Sequence, residues 1–201
     1  MTRSSLRDSF GAGPASPWGR LLLMELSELV VLLSDDGKPI GTAPKSSVHS
    51  SETPLHLAFS CHLFNEAGEV LVTRRALSKA TWPGVWTNSF CGHPGVDESF
   101  EDTITRRAVR ELGATVTAIE PILPDFRYRA VDASGVVENE VCPVFRATLV
   151  GEVNPSEDEV GEFAWVQPTA LATAVKATPF AFSPWLVMQL AQWPGATEGA
   201  H

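Results

Sequence analysis

Three groups of residues in this chain have the types and spacing to do chemistry. In "WTNSFCGHP", residues 86–94, Cys91 stands two residues before His93 in a segment punctuated by Gly and Pro. Either the sulfur is a small apolar group beside a turn, or the thiol and the imidazole face one site. In "ENEV", Glu138 and Glu140 are two apart on an expected strand, so both carboxylates leave one face and Asn139 the other. Two like charges side by side need something to neutralise them, and a cation would do so. A solvated edge strand is the competing reading. His49, His56 and His93 each fall near an expected turn or strand end, and three imidazoles with two carboxylates make a nitrogen and oxygen donor set for a divalent ion. No short metal motif links them. The third group is "TRRALSK", residues 73–79, which concentrates Arg74, Arg75 and Lys79 in a chain that is otherwise acidic.

These residues need a scaffold, and the hydrophobic pattern supplies one. "LVVLLSDDGKPIG" reads as a strand, an Asp-Gly turn and an extended return. "LHLAFSCHLFN" and "EVLVTRRA" read as a hairpin closed by "EAG". "WPGVWTNSFCGHP" reads as a turn. In "DESFEDTITRRAVRELG", Phe100, Ile104, Ala108 and Leu112 recur every four residues, which gives an amphipathic helix stopped by Gly113. "FRYRAVD" and "VVENEVCPVFRATLV" read as a second hairpin with one long returning strand. "FAWV" reads as a short strand, and "TALATAV" and "SPWLVMQLAQW" as helices. Strands interleaved with a few helices predict an α/β (α+β) fold, a mixed β-sheet flanked by helices in a single domain. Residues 1–24, rich in Gly, Pro and Ser, read as a flexible extension with Met24 as an alternative start, residues 25–193 as the domain, and 194–201 as a tail.

Composition narrows the function. The chain has 201 residues, enough for one full core, with 15 Lys and Arg against 24 Asp and Glu. A net charge of −9 disfavours a surface that tracks nucleic-acid phosphates, so an anionic ligand must be held by a local cluster of cations. Three scattered cysteines argue for a reducing compartment rather than a disulfide framework. The run "LLLMELSELVVLL" carries two glutamates and is too short for a bilayer, so the expectation is a cytoplasmic protein with no membrane partner.

The helix carries a sharper pattern. Counting from Gly92, Glu98 follows after five residues, and after seven more comes "RRAVRELGA". This resembles the Nudix box, Gly-x5-Glu-x7-Arg-Glu-U-x-Glu-Glu-x-Gly-U, where U is a bulky aliphatic residue. Two of its glutamates are replaced here by Arg107 and Arg110, leaving Glu111 as the one carboxylate on the metal-binding turn. That pattern keeps diphosphate binding, with Arg107 at i−4 from Glu111, but argues against metal-assisted hydrolysis.

Together, "TRRALSKATWPGVWTNSFCGHP", "PDFRYRA", "ENEVCPVF" and "ATPFAFSPW" resemble the type I isopentenyl-diphosphate isomerase family, a branch of the Nudix fold, over roughly residues 27–190. The resemblance implies that Cys91 and Glu140 are the acid-base pair on opposite faces of the substrate's double bond. It implies that Tyr128 assists protonation near Glu140 and that Trp185 faces a tertiary carbocation. It implies that His49, His56, His93, Glu138 and Glu140 hold one divalent ion (Mn²⁺, Mg²⁺ or Zn²⁺), and that Glu111 holds a Mg²⁺ arriving with the diphosphate. Lys45, Arg75, Lys79 and Arg107 match residues that contact that diphosphate. The implied substrate is a small prenyl diphosphate, the reaction needs no flavin, and the expected assembly is a monomer or weak homodimer. A Nudix diphosphate hydrolase and a non-catalytic metal-stabilised binding module are the alternatives.

Overall fold

In the computed structural model, which describes residues 28–193, twelve strands form two sheets. The extension expected before residue 25 and the tail from 194 lie outside the described residues. The first sheet takes strands β1 (Leu29–Leu33), β2 (Pro39–Pro44), β3 (His56–Leu57), β9 (Arg127–Val131) and β10 (Val137–Val141) in the order β2-β1-β3-β10-β9. The second takes β4 (Phe59–Phe64), β5 (Val70–Arg75), β8 (Thr115–Leu123), β11 (Val144–Val150) and β12 (Val160–Val166) in the order β12-β5-β4-β11-β8. Two short strands complete it, β6 (Trp86–Thr87) beside β5 and β7 (Phe90–Gly92) beside β4. Helices α1 (Lys45–Val48), α2 (Phe100–Leu112), α3 (Pro168–Ala177) and α4 (Pro184–Gln192) follow in chain order.

The second sheet is covered on both faces, which is why every residue of β4 is buried. On one face Ile104, Ala108 and Leu112 of α2 pack with Phe59, Leu63 and Leu71. On the other, Leu171 and Val175 of α3 and Leu186 of α4 pack with Phe64, Val70 and Val72. The fold is thus a mixed α/β domain with helices flanking the sheets.

The sequence pattern merges two strands that the structure separates. The expected long return "VVENEVCPVFRATLV" is β10 and β11, one in each sheet, split at Cys142 and Pro143. Proline has no N–H to give a ladder, so pairing breaks there. The neighbouring chain breaks at the matching place, Ala58, between β3 and β4. β10 runs parallel to β3 and β11 parallel to β4, so the two strand pairs pass from one sheet to the other together. Ala58 N–H donates to Val141 O at 2.9 Å and Ser60 N–H to Pro143 O at 3.1 Å, which holds the crossing closed. The stretch 115–123, given no element in the sequence reading, is β8, an edge strand whose Pro121 is tolerated because one side is unpaired. The "WPGVWTNSFCGHP" segment, expected to be a turn, contains β6 and β7, so Cys91 sits on a strand directly opposite Ser60.

Helix α2 is placed by its ends. The Ser99 hydroxyl accepts from Asp102 N–H, and Gly113 closes the helix at φ +57°, with Ala114 N–H donating to Ala108 O. A Cβ on Gly113 would lie 2.6 Å from Asn154 O, whose own N–H donates to Leu112 O. Gly113→Ala is therefore expected to cost about 2 kcal/mol or more in urea unfolding, from left-handed strain plus the clash. A variant within about 0.5 kcal/mol of the parent would contradict this account of the cap.

Candidate active site

A cavity of about 400 Å³ opens where the two sheets part. Every site residue expected from the sequence lines it except His56, which is fully buried behind its wall. Glu140 comes from β10, Tyr128 from β9, Cys91 from β7, Trp185 from the first turn of α4, and His49 from the end of α1. The crossing at Ala58 and Pro143 is what brings the end of the first sheet against β7.

At one end three imidazoles converge, with ring centroids 5.1 to 5.7 Å apart. His56 Nε2 lies 3.4 Å and His93 Nε2 3.3 Å from the same Glu140 oxygen, Oε1. His56 Nδ1 is 2.9 Å from Pro54 O, an acceptor only, so that nitrogen carries a proton and in the neutral ring Nε2 turns a lone pair toward the carboxylate. Lone pairs facing one another without a proton between them are satisfied by a cation. His49 Nε2, His56 Nε2 and Glu138 Oε2 are buried with no hydrogen-bond partner, as metal ligands would be. Ligand atoms of His49, His56, His93 and Glu140 all lie within 4.8 Å of one another, so these residues fit a divalent ion. Glu138 stands outside that set; its Oε2 is 3.1 Å from His49 Nε2, and its Oε1 accepts from the Thr81 hydroxyl at 2.8 Å.

The thiol, carboxyl and phenol on the cavity wall have distinct environments. Burial pushes the Cys91 thiol up to about 12, against smaller opposing effects of hydrogen bonds from Ser60 and Asn88, so the sulfur keeps its proton at neutral pH. Burial works against a charge on Glu140 as well, but the imidazoles of His56 and His93 beside it outweigh burial and hold the carboxyl well below the ordinary range. Tyr128 lies directly across the ladder from Glu140. Burial, then the charges of Glu140 and Glu138, hold its phenol far above the usual value, so it stays a neutral donor. The Trp185 ring is walled by Tyr128 at 5.8 Å and by Trp82 edge-on at 5.3 Å, the latter held at φ +42°.

The other end of the cavity is cationic, and each cation has a partner within the protein. Lys45 Nζ donates to Glu28 Oε2 at 2.7 Å, Lys79 pairs with Glu159, and Arg75 donates to Thr81 O at 2.8 and 3.0 Å. Arg107, 3% exposed, pairs with Glu111 one turn on and lies 3.4 Å from Glu159 and 3.7 Å from Glu28. Glu111 lines the cavity and belongs to no cluster of ligating side chains among the described residues. A magnesium ion there would take its remaining oxygens from diphosphate and water, as Mg²⁺ commonly does.

Burial opposes a charge on Glu28, yet Lys45, Arg107 and Arg110 outweigh it and pull the carboxyl down to about 2. The same pair leaves Lys45 below its ordinary value, because burial and the charge of Arg107 exceed what Glu28 returns. The carboxylate, facing several cations, is the partner that gains. Its folded-state value is depressed, so its stabilisation is present above about pH 4.5 and is lost as pH falls toward about 2. Glu28→Gln should flatten that acid limb in unfolding followed from pH 6 to pH 2; an unchanged slope would remove Glu28 from the account.

Comparison with known proteins agrees with this geometry. Residues 54–186 match the NUDIX domain. The isopentenyl-diphosphate Delta-isomerase of Clavibacter sepedonicus is 63% identical over 164 residues, 82% of this chain and 86% of that protein. That of Leifsonia xyli is 66% identical, over 81% of this chain and 89% of its own. The chain belongs to the isopentenyl-diphosphate isomerase family. Its fold is also that of a Deinococcus radiodurans protein, DR0079, with a TM-score of 0.64 at 16% identity over 83% of this chain and 99% of that one. A MutT protein of Methanosarcina mazei matches at 0.56 and 21% identity, over 71% and 95%.

Some residues of this isomerase-family site are not found by motif reading. Glu28 precedes the NUDIX match and stands alone in sequence, and Glu159 falls in the acidic run "SEDE", which reads as solvated. Asn88 lies in the quoted Cys91 segment but has no charge or ligating habit to mark it. Ser60 and Gln189 are buried polar residues in apolar elements, and that is the only signal they offer.

Proposed function

We propose that this protein isomerises isopentenyl diphosphate to dimethylallyl diphosphate by adding a proton to one end of the alkene and removing one from its neighbour. The observation that carries this reading is that Cys91 and Glu140, from different sheets, line one cavity together with Trp185 and a separate cation cluster. Moving a double bond needs two acid-base groups bracketing it. Cys91, protonated at neutral pH, delivers the proton, and the ionised Glu140 with its Tyr128 neighbour receives the one that leaves. The tertiary cation between the two steps has no heteroatom to steady it, and the Trp185 face stabilises positive charge without offering a nucleophile to trap it. Walls of Trp82, Tyr128 and Trp185 keep water from the cation.

Lys45, Arg75, Lys79 and Arg107 hold the diphosphate, so binding energy is gathered away from the reacting carbons. Glu111, at the same end, would hold a magnesium ion brought with the substrate. A divalent ion on His49, His56, His93 and Glu140, with Glu138 beside them, would fix the carboxylate's orientation and lower its basicity. Its identity as Mn²⁺, Mg²⁺ or Zn²⁺ is a matter for metal analysis of the purified protein. Among the described residues no helix is long and apolar enough to cross a membrane, which fits a soluble small-molecule enzyme working in the cytoplasm.

Proton NMR of isopentenyl diphosphate with the protein and Mg²⁺ in D₂O tests the reading. Dimethylallyl methyl signals carrying deuterium are expected. Release of phosphate with no isomer would favour diphosphate hydrolysis, and unchanged substrate would favour a binding module.

A further inference from the structure

The Cys91 sulfur lies among buried polar groups: Asn88 Nδ2 at 3.3 Å, Asn88 Oδ1 at 3.4 Å and Ser60 Oγ at 3.3 Å. The Asn88 amide is oriented by partners that can each play one role. Trp185 Nε1–H can only donate, and it donates to Oδ1 at 2.9 Å. The carbonyls of Cys61 and Phe90 can only accept, and they accept from Nδ2 at 3.1 and 2.8 Å. The Thr87 hydroxyl gives Oδ1 a further bond at 2.9 Å. The sulfur therefore sits beside both ends of one fixed amide. Both N–H groups of Nδ2 are taken by those carbonyls, so the sulfur shares an already committed amide: its S–H points at Oδ1 at 3.4 Å, and toward Nδ2 it has at most a share of an N–H.

Ser60 completes the cradle from the other side. Gln189 Nε2 donates to Ser60 Oγ at 2.8 Å, which leaves the hydroxyl proton free to point at sulfur, either Cys91 or Cys142 at 3.6 Å. Gln189 is held in that orientation by His62, whose Nε2–H donates to Oε1 at 3.1 Å. Asn88, Ser60, His62 and Gln189 are all fully buried, so each bond is made in a dry setting where a missing partner is costly.

We propose that Asn88 is a positioning residue of the isomerisation: one carboxamide oxygen, shared by the Cys91 thiol and the Trp185 indole N–H, fixes the two groups against each other. Ser60 is the donor to the sulfur once its proton has left. This rests on the isomerase reading above. The alkene and the cation derived from it must lie between thiol and indole, and a displacement of about 1 Å between reacting groups costs about 100-fold in rate.

The test compares wild type, Asn88→Ala and Ser60→Ala by steady-state isomerisation of isopentenyl diphosphate and by the ¹⁵N–¹H indole resonance of Trp185, assigned with Trp185→Phe. Asn88→Ala should lower kcat about 100-fold while KM stays within about threefold, since the diphosphate contacts are intact. Its Trp185 indole resonance should move and exchange faster with solvent. Ser60→Ala should lower kcat about tenfold with that resonance unmoved. A folded Asn88→Ala protein with kcat within about threefold of wild type overturns the proposal, as does a loss carried wholly by KM. Should Asn88→Ala fail to fold by circular dichroism, Ser60→Ala decides, and an unchanged kcat there overturns it. Wild-type protein that makes no dimethylallyl product removes the isomerase reading itself, whereas active wild type with equally active variants removes this proposal alone.

Discussion

Cys91→Ala is expected to lose three to four orders of magnitude, about the worth of a positioned general acid, in the rate of dimethylallyl formation. Its metal content should not change. The ligand atoms that converge come from His49, His56, His93 and Glu140, and the sulfur is not among them. The proposed role of the thiol rests on burial keeping it protonated, with a pKa pushed up to about 12, in a cavity shared with a carboxylate that the histidines keep ionised. The variant removes the donor and little else, since Ala fits the space and the strand pairing of Cys91 with Ser60 is made by backbone. Proton NMR in D₂O with elemental analysis of the same samples gives both readouts. Turnover above about a tenth of the parent would assign the proton to another group.

The largest effect on stability is expected at Arg107. Its guanidinium is almost wholly buried between Glu111 and Glu159, with Glu28 behind. Burial opposes its charge, but these carboxylates outweigh burial and raise it further above its already high value. Arg107→Met keeps much of the stem that packs against Gly92, and removes the charge. It leaves carboxylates buried without their shared partner, which costs about 3–5 kcal/mol in comparable settings. The folded-state values of Glu28 and Glu159 are depressed, so the stabilisation is present at neutral pH and is lost as these groups protonate in acid. The gap between parent and variant in urea unfolding should therefore be widest above about pH 5 and narrow toward pH 3. Arg107→Met with Glu111→Gln should recover part of the loss. A pH-independent gap would point to packing instead of charge.

How much of this was legible in the sequence depends on the kind of signal. Helix α2 was, because Phe100, Ile104, Ala108 and Leu112 carry the period and Gly113 the stop. The carboxylate pair was, because strand alternation puts Glu138 and Glu140 on one face whatever lies opposite. That His49 and His56 meet His93 was raised by residue type and by family resemblance but was not readable from spacing; their meeting is a property of the fold. The long strand ending in "VFRATLV" was misjudged because hydrophobic pattern runs through Cys142 and Pro143 unbroken, while the hydrogen-bond ladder does not. The cations were visible as a basic cluster, but their internal partners were not. Glu28 and Glu159 are remote in sequence from Lys45 and Lys79, and only folding pairs them.

The passage of two parallel strand pairs from one sheet to the other, at Ala58 and at Cys142 and Pro143, divides between the sheets the groups proposed for the two proton transfers. Glu140 and Tyr128 ride on one sheet, and Cys91 on the other. Their separation is then a dimension of the whole domain, set by the angle at a single seam. A substitution that slides one sheet past the other by a few tenths of an ångström would retune the gap spanned by the alkene while leaving each half intact. On the isomerase reading, seam residues such as Ala58, which lines the cavity, and Val144, packed with it, would adjust how long a carbon chain the two groups can straddle.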